Sequence, residues 1–504
     1  MPIAPVPAST NAAYAELVTL HARLHRLNHL AALASWDRSA MMPPKGADAR
    51  AAAEAELSGL IHRTRCDPRI PDWLARAEDE ALDAMQRANL REMRRDWLLA
   101  AALPDALVEA KTVAEARCEH AWRSQRGAND WDGFLQNFRE VLRLAREEAR
   151  LLAEHTGLGR YDALMDRFEP GMRAAELDRI FGEVSGWLPG LIERVQARQA
   201  GESVIDPVGP FPLASQRALG HAVMRLLGFD FEAGRLDESA HPFSGGVPED
   251  VRLTTRYRED DCLQALLGTI HETGHARFEQ NLPREWLGQP IAFARSYGIH
   301  ESQSLSFEMQ LARGRAFAGL LSPLLIEHLG PQPAFAPDNL HCLLTRVRPG
   351  RIRVDADEVT YPAHVILRYR IERPLIEGDI EAEDIPALWQ AGMQELLGID
   401  THGDNRNGCL QDVHWPSGAF GYFPSYTLGA MYAAQWFATL RRQTPDLDTR
   451  IATGDLSPVF DWLHTHIWSQ ASRWETPELV ERASGSRLDP GYFRAHLEGR
   501  YLDR

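Results

Sequence analysis

Residues 250–275 read DVRLTTRYREDDCLQALLGTIHETGH, and two periodicities meet inside them. Val251, Leu253, Thr255 and Tyr257 alternate with polar neighbours, the period of a half-buried strand. Leu263, Leu266, Leu267 and Ile270 then recur at three- and four-residue spacing, the period of one helix face. The stretch therefore predicts a short strand leading into a helix whose end carries His271 and His275 one turn apart. Two imidazoles at i and i+4 can hold one metal ion, while Glu272, about 100° round the helix, can reach a water activated beside it.

Outward from this stretch the helical period dominates. Leu17, Leu20, Leu24, Leu27 and Leu30 place one apolar stripe along residues 13–36, and similar spacing recurs through AAAEAELSGLIHR, WLLAAALPDALVEAKTVAEAR and FLQNFREVLRLAREEARLLAEH. Turn signals such as MMPPKGAD at 41–48 interrupt them. No fixed-period self-similarity marks a solenoid. Strand signals are few, with DVRLTTRY the best and RIRV at 351–354 a short second. Breakers cluster at 202–212, 238–250 and 403–426, and the aromatic content of the last predicts an ordered loop. The fold class is mainly α: a single large helical domain over 1–504, with a helical amino-terminal part over 1–200, the metal site and substrate-binding motifs over 201–504, a substrate cleft, and a small β-sheet near the site.

Composition narrows the partners. Against 71 acidic side chains stand 55 basic ones, a formal charge of −16 that repels phosphate backbones and anionic leaflets. Neither nucleic acid nor a membrane is expected as a partner. No apolar run reaches the roughly 18 residues of a membrane span, the amino terminus lacks a basic stretch followed by an apolar one, and the five cysteines are scattered without CxxC spacing. These features predict a cytoplasmic protein.

A hydrolytic metal centre needs a third protein ligand and an open position, and a carboxylate serves. Glu301, in GIHESQS at 298–304, lies 26 residues beyond His275 at the start of a second predicted helix carrying Leu305, Met309 and Ala312. NLPREWLGQP between them supplies a turn. Ser302, Gln303 and Ser304 offer polar groups to support the ligands, and Glu308 is a weaker rival ligand. The opposing reading is a solvated helix, or a closed structural site that would have no use for Glu272.

Six ordered blocks resemble the carboxypeptidase Taq family of metallocarboxypeptidases: AHPF at 240–243, DVRLTT at 250–255, HETGH at 271–275, GIHESQS at 298–304, IRVDADEVTY at 352–361 and LQDVHWPSGAFGYFPSYTLG at 410–429. The likeness extends to RLNHLAALASWDRSAMMPPKGADAR and ERASGSRLDPGYFRAHL near the two ends. It implies a mostly helical enzyme with a deep cleft, often a homodimer, that removes single residues from peptide C-termini. By matching position, His271, His275 and Glu301 are implied metal ligands and Glu272 the general base. One divalent ion per chain is expected, zinc by default with cobalt or manganese as alternatives. Tyr422 and His414 are candidate donors to the developing oxyanion. Arg353, the arginine of the IRxxAD block, is the choice for the substrate's terminal carboxylate, because a planar fork of donors matches that group.

His241, Arg252 and Gln411 complete the expected substrate-binding set, with Asp250 and Asp412 in support. The DVRLTT strand is expected to offer its edge to an extended peptide. Departures from the family pattern stand at Leu305, in place of an arginine, at Pro362, which interrupts the TYxxH stretch, and at Ala430, where asparagine is usual. The leading expectation is a broad-specificity carboxypeptidase acting on short peptides. An oligopeptidase or dipeptidyl carboxypeptidase, and a catalytically idle metal-binding protein, are the alternatives.

Overall fold

Capping side chains and prolines decide where the helices begin. Asp83 and Gln86 form a reciprocal capping box, Asp130 accepts from the Gly133 amide, and Asp261 accepts from Leu263 and Gln264. In the computed structural model, which describes residues 12–239 and 242–503, these signals open helices α3 (Ala84–Ala101), α5 (Trp131–Thr156) and α7 (Cys262–Gln280). Before them run α1 (Ala12–Ala40) and α2 (Ala47–Arg65); α4 is Asp105–Gly127 and α6 is Ala174–Gln199. The stretch at 97–117, helical in period, is split by Pro104, which cannot continue α3 but serves as the N-cap of α4.

Apolar faces sort into two main cores. Leu17, Leu20 and Leu24 of α1 pack with Ile61, Trp73 and Met93 in a small amino-terminal cluster. A much larger cluster runs from Cys118 through α5 and α6 to Tyr501, so helices from distant parts of the sequence close one interior. A third, small cluster of Met224, Phe229, Val251, Leu253 and Ala276 joins the sheet to α7.

The sheet has three strands, β1 (Gly234–Glu238), β2 (Ser244–Val247) and β3 (Asp250–Thr255), in the order β1-β3-β2. The DVRLTT strand is thus central, parallel to β1 and antiparallel to β2, and its expected free edge is already occupied on both sides. The free edges belong to β1 and β2, and β2 is the one that carries Ser244. Because the Thr254 amide donates to the Phe243 carbonyl, alternation along the antiparallel pair turns the backbone groups of Ser244 and Gly246 away from β3. RIRV forms no strand: Arg353–Asp355 is a single 3-10 turn, gripped by the Gln411 amide, which accepts from the Arg353 N–H and donates to the Arg351 carbonyl.

Four further helices frame the site: α8 (Tyr297–Leu305), continued by a π-helical stretch over Ser306–Ala312, α9 (Tyr361–Glu377), α10 (Pro424–Gln443) and α11 (Pro490–Tyr501). Pro362 does not interrupt anything. It occupies the first turn of α9, where its missing N–H has no intrahelical partner to lose. Leu305 and Ala430 are buried apolar contacts of the main core.

Candidate metal and peptide site

Two glycines let the helices of the site approach. A Cβ on Gly274 would lie 2.5 Å from the Gln303 carbonyl oxygen, so α7 crosses α8 at backbone contact. A Cβ on Gly429 of α10 would lie 2.7 Å from Cγ of Glu301, so α10 presses the carboxylate from the other side. The α8 terminus is fixed by a buried carboxylate from another part of the chain. Glu169 accepts from Ser296 Oγ (2.6 Å), the Gly298 amide (2.5 Å) and Ser425 Oγ (2.7 Å), tying the starts of α8 and α10 together.

This packing brings His271, His275 and Glu301 to one point, with a ligand atom from each within 4.8 Å of the others. His275 Nε2 lies 3.4 Å and His271 Nε2 4.0 Å from the Glu301 oxygens. Ligand atoms about 2.0–2.2 Å from a tetrahedral ion stand roughly 3.3 Å apart, so a small inward movement of these groups would close them on one cation. His271 Nδ1 is 3.0 Å from Glu308, whose other oxygen accepts from Arg313 at 2.7 Å. Glu308 is therefore not a rival ligand. Seven residues are nearly two turns, so it shares a face with Glu301 and holds the outer nitrogen of His271. His275 stacks on His300 at 4.5 Å, and His300 pairs with Glu279 at 2.9 Å. The donor set of two imidazoles and a carboxylate, with a carboxylate behind one imidazole, fits a divalent cation.

Ser302, Gln303 and Ser304 do not support the ligands through their side chains. Ser302 and Gln303 accept from Trp436 and Trp468, and Ser304 donates to the Glu301 carbonyl, so they lock α8 into the core.

Glu272 is buried, and burial pushes its carboxyl up to about 7, His271 drawing it down and Glu301 raising it again. Ser244, on the edge strand β2, draws the Glu272 carboxyl down, against the effect of burial. Burial disfavours the charged form of His271, but Glu308, Glu301 and Glu272 outweigh it and lift the group to about 9; His275, which burial controls, falls to about 4.

Arg353 is 7% exposed, and two of its donors go to Asp412, Nε at 3.0 Å and Nη2 at 2.9 Å. Its guanidinium lies over Tyr426 at 4.6 Å, and its charge lowers the phenol of Tyr361 against the upward push of burial. Asp412 also faces Arg368 at 3.5 Å, a fully buried guanidinium sandwiched between Trp415 and Phe423. The loop carrying Asp412 is held from behind by Glu372, which accepts from Tyr161, Trp415 and the Gly421 amide. His414 Nε2 meets Tyr426 Oη at 3.1 Å, and burial presses this imidazole down to about 3, leaving it neutral. Tyr422 stacks edge-on against Tyr426 at 5.2 Å, and burial raises both phenols, so both keep the proton a donor needs. Glu301 acts electrostatically on Tyr361, Tyr422 and Tyr426, which makes the aromatic group and the ligand cluster neighbours.

The remaining expected residues have other contacts. Arg252 grips Asp250 at 2.5 and 3.0 Å and lies over Trp36 of α1 at 4.5 Å. The Gln411 amide is engaged by the Arg351–Arg353 backbone and its own loop. His241 lies outside the described residues. Sequence reasoning gave no role to Ser244, Tyr361, Tyr426, Arg368, Glu169 or Glu372. Tyr361 and Tyr426 stand inside the quoted blocks and were within reach; Glu169 lies in none of the blocks, and only the folded chain brings it to Ser296.

The family described as carboxypeptidase Taq (M32) metallopeptidase matches the chain over residues 16–501. Thermostable carboxypeptidase 1 of Thermus thermophilus is 38% identical, covering 97% of this chain and 98% of its own length. Carboxypeptidase 1 of Bacillus subtilis is 32% identical, covering 96% and 97%. Among solved structures, Trypanosoma cruzi metallocarboxypeptidase 1 superposes with a TM-score of 0.96 at 48% identity, over 98% of this chain and 100% of that one.

Proposed function

Since the chain belongs to the carboxypeptidase Taq (M32) metallopeptidase family and is a metal-dependent carboxypeptidase, we propose that it releases single C-terminal residues from short peptides of varied sequence, with Glu272 as general base. The observation that carries this reading is the meeting of His271, His275 and Glu301 at one point, with the buried Glu272 carboxyl within the field of His271 and Glu301 and the Arg353, Tyr426 and Tyr422 group beside it. A divalent cation held by His271, His275 and Glu301 would supply Lewis-acid charge to the scissile carbonyl and make a water more acidic. Zinc is the ion we assign, with cobalt and manganese able to take the same ligands.

Glu272, its carboxylate made more basic by burial, accepts the proton of the attacking water and returns it to the leaving amine. Tyr422 and His414 are assigned as donors to the developing negative charge; supporting this, the two rings lie 5.5 Å apart and His414 Nε2 is 3.1 Å from Tyr426 Oη. Arg353, its plane fixed by Asp412, offers its remaining donors to the terminal carboxylate. Arg252 and Gln411 serve the substrate surface indirectly, the first by bracing β3 against α1 and the second by holding the Arg353 turn. The outward backbone groups of Ser244 and Gly246 take the peptide main chain as an added strand. Residues 1–504 act as one catalytic unit, paired as a homodimer in the cytoplasm. Among the described residues no helix is long and apolar enough to cross a membrane.

The test is to incubate the metal-loaded protein with an unstructured peptide of about ten residues, an order-of-magnitude choice that leaves several cleavable bonds, and with its C-terminally amidated twin. Mass spectrometry should show a ladder of single-residue losses from the free acid alone. Internal cuts in both peptides would replace this reading with an oligopeptidase, and a free-acid ladder undiminished in Arg353→Ala would remove Arg353 from carboxylate recognition.

A further inference from the structure

Among the described residues, Tyr297 is the one aromatic side chain among the exposed large hydrophobics, at 48% exposure. It sits four residues before Glu301 on α8, so the two side chains share a helix face about 6 Å apart along the axis. A ring left open to solvent one turn from a metal ligand is poorly explained by packing alone.

The ring is nonetheless held. Tyr297 meets Phe168 at 5.4 Å and 85° and Tyr422 at 5.4 Å and 75°, while Phe168 meets Tyr422 at 5.2 Å and 80°. Three rings in mutual edge-to-face contact form a triangle with one corner in solvent. The Tyr297 amide donates to the Phe168 carbonyl at 2.9 Å, and the neighbouring Glu169 clamps Ser296 and Gly298. A ring ordered in advance loses little entropy when a ligand packs on it.

Its place relative to the carboxylate anchor gives direction. Arg353 touches Tyr426, Tyr426 touches Tyr422, and Tyr422 touches Tyr297, which makes Tyr297 the last ring of this series of contacts counted from Arg353. With the terminal carboxylate at Arg353 and the scissile carbonyl beside Glu301, a substrate reaching Tyr297 presents the residue upstream of the bond. We infer that Tyr297, backed by Phe168 and Tyr422, is a specificity-determining aromatic shelf for an apolar or aromatic side chain on the residue immediately upstream of the cleaved bond. The inference rests on the carboxypeptidase reading and on Arg353 as its anchor.

Two sets of amino-blocked tripeptide free acids test it. One set varies the middle residue among Phe, Leu and Ala with a constant last residue, and the other varies only the released residue. In Tyr297→Ala the ratio of kcat/KM for middle Phe over middle Ala should fall about five- to tenfold, carried by KM because the contact is equal in ground and transition states. The released-residue set should keep its ranking. Tyr297→Phe should keep the parent's ratio, and an unchanged melting temperature in both variants would show that the half-exposed ring is not needed for folding. An unchanged ratio in Tyr297→Ala, a change confined to the released residue, or a loss in Tyr297→Phe equal to that in Tyr297→Ala would each overturn the shelf. A parent enzyme that cuts amidated tripeptides as readily as free acids would overturn the anchoring by Arg353 itself, and the shelf assignment with it.

Discussion

At the scale of single residues, Glu272 and Glu308 differ in their neighbours, and the proposed mechanism gives the first the chemistry and the second the support of His271. Glu272 is buried and feels the charges of His271 and Glu301, whereas Glu308 stands behind His271 and is bonded by Arg313. Glu272→Gln should lower kcat by about 10² to 10⁴ while metal content, measured by elemental analysis, stays near one ion per chain. Glu308→Gln should instead weaken metal affinity by about 10- to 100-fold in a chelator competition, because His271 loses the group that orients its ring. Loss of metal from Glu272→Gln would mean that the carboxylate ligates or holds up the site and is not the base. Both glutamates were visible in the sequence. The sequence already offered Glu272 as the base, but it left Glu308 as a rival ligand, since only the fold shows that Glu308 meets Nδ1 of His271.

At the scale of helices and strands, the site depends on close approach more than on any single bond. Gly429 lets α10 lie against Glu301, and any Cβ there meets Cβ and Cγ of the ligand at 2.8 and 2.7 Å. Gly429→Ala should therefore displace Glu301, lower stability by about 1–3 kcal/mol through overpacking, and raise the metal dissociation constant. A crystal structure of the variant with Glu301 unmoved and affinity unchanged would refute this account. The elements themselves were unevenly legible. Helix α7 follows from its period and its Asp261 cap, and β3 from strict alternation. Strand β2 reads SGGV, with two glycines that argue against a strand; it exists because β3 supplies a partner, and it leaves β2 rather than β3 with the open edge. RIRV has the composition of a strand but is held in a turn by Gln411, a contact across 58 residues that no local pattern reports.

At the scale of the whole molecule, buried neutral histidines set the acid limit. Burial presses His21 and His364 down to about 4 and His414 to about 3, against an unfolded value near 6.5. Between those limits the unfolded chain binds more protons than the native one, so the stability they contribute is complete above about pH 6.5 and declines as pH falls towards 4. Each should cost about 1.4 kcal/mol per pH unit in that window. Chemical denaturation of the parent and of His364→Leu at pH 7.5, 6.5 and 5.5, with a chelator present in both so that metal release and the titration of His271 and Glu272 cancel between them, should show the parent losing stability relative to the variant only below the middle value. His364→Leu should make the decline shallower by one histidine's share; a slope unchanged in that variant would show that His364 does not titrate with unfolding.

The sequence by itself determined the helical class, the strand at 250–255, the pair of histidines one turn apart and the family, because each is written in spacing along the chain or in short blocks of fixed order. Tertiary structure alone decided that Glu308 supports His271, that β2 and not β3 lies at an edge, that Asp412 holds the Arg353 guanidinium and faces Arg368, and that Glu169 fixes the start of α8. Those facts depend on groups far apart in sequence meeting in a buried space, where an unpartnered charge is costly and each must find the particular neighbour that satisfies it.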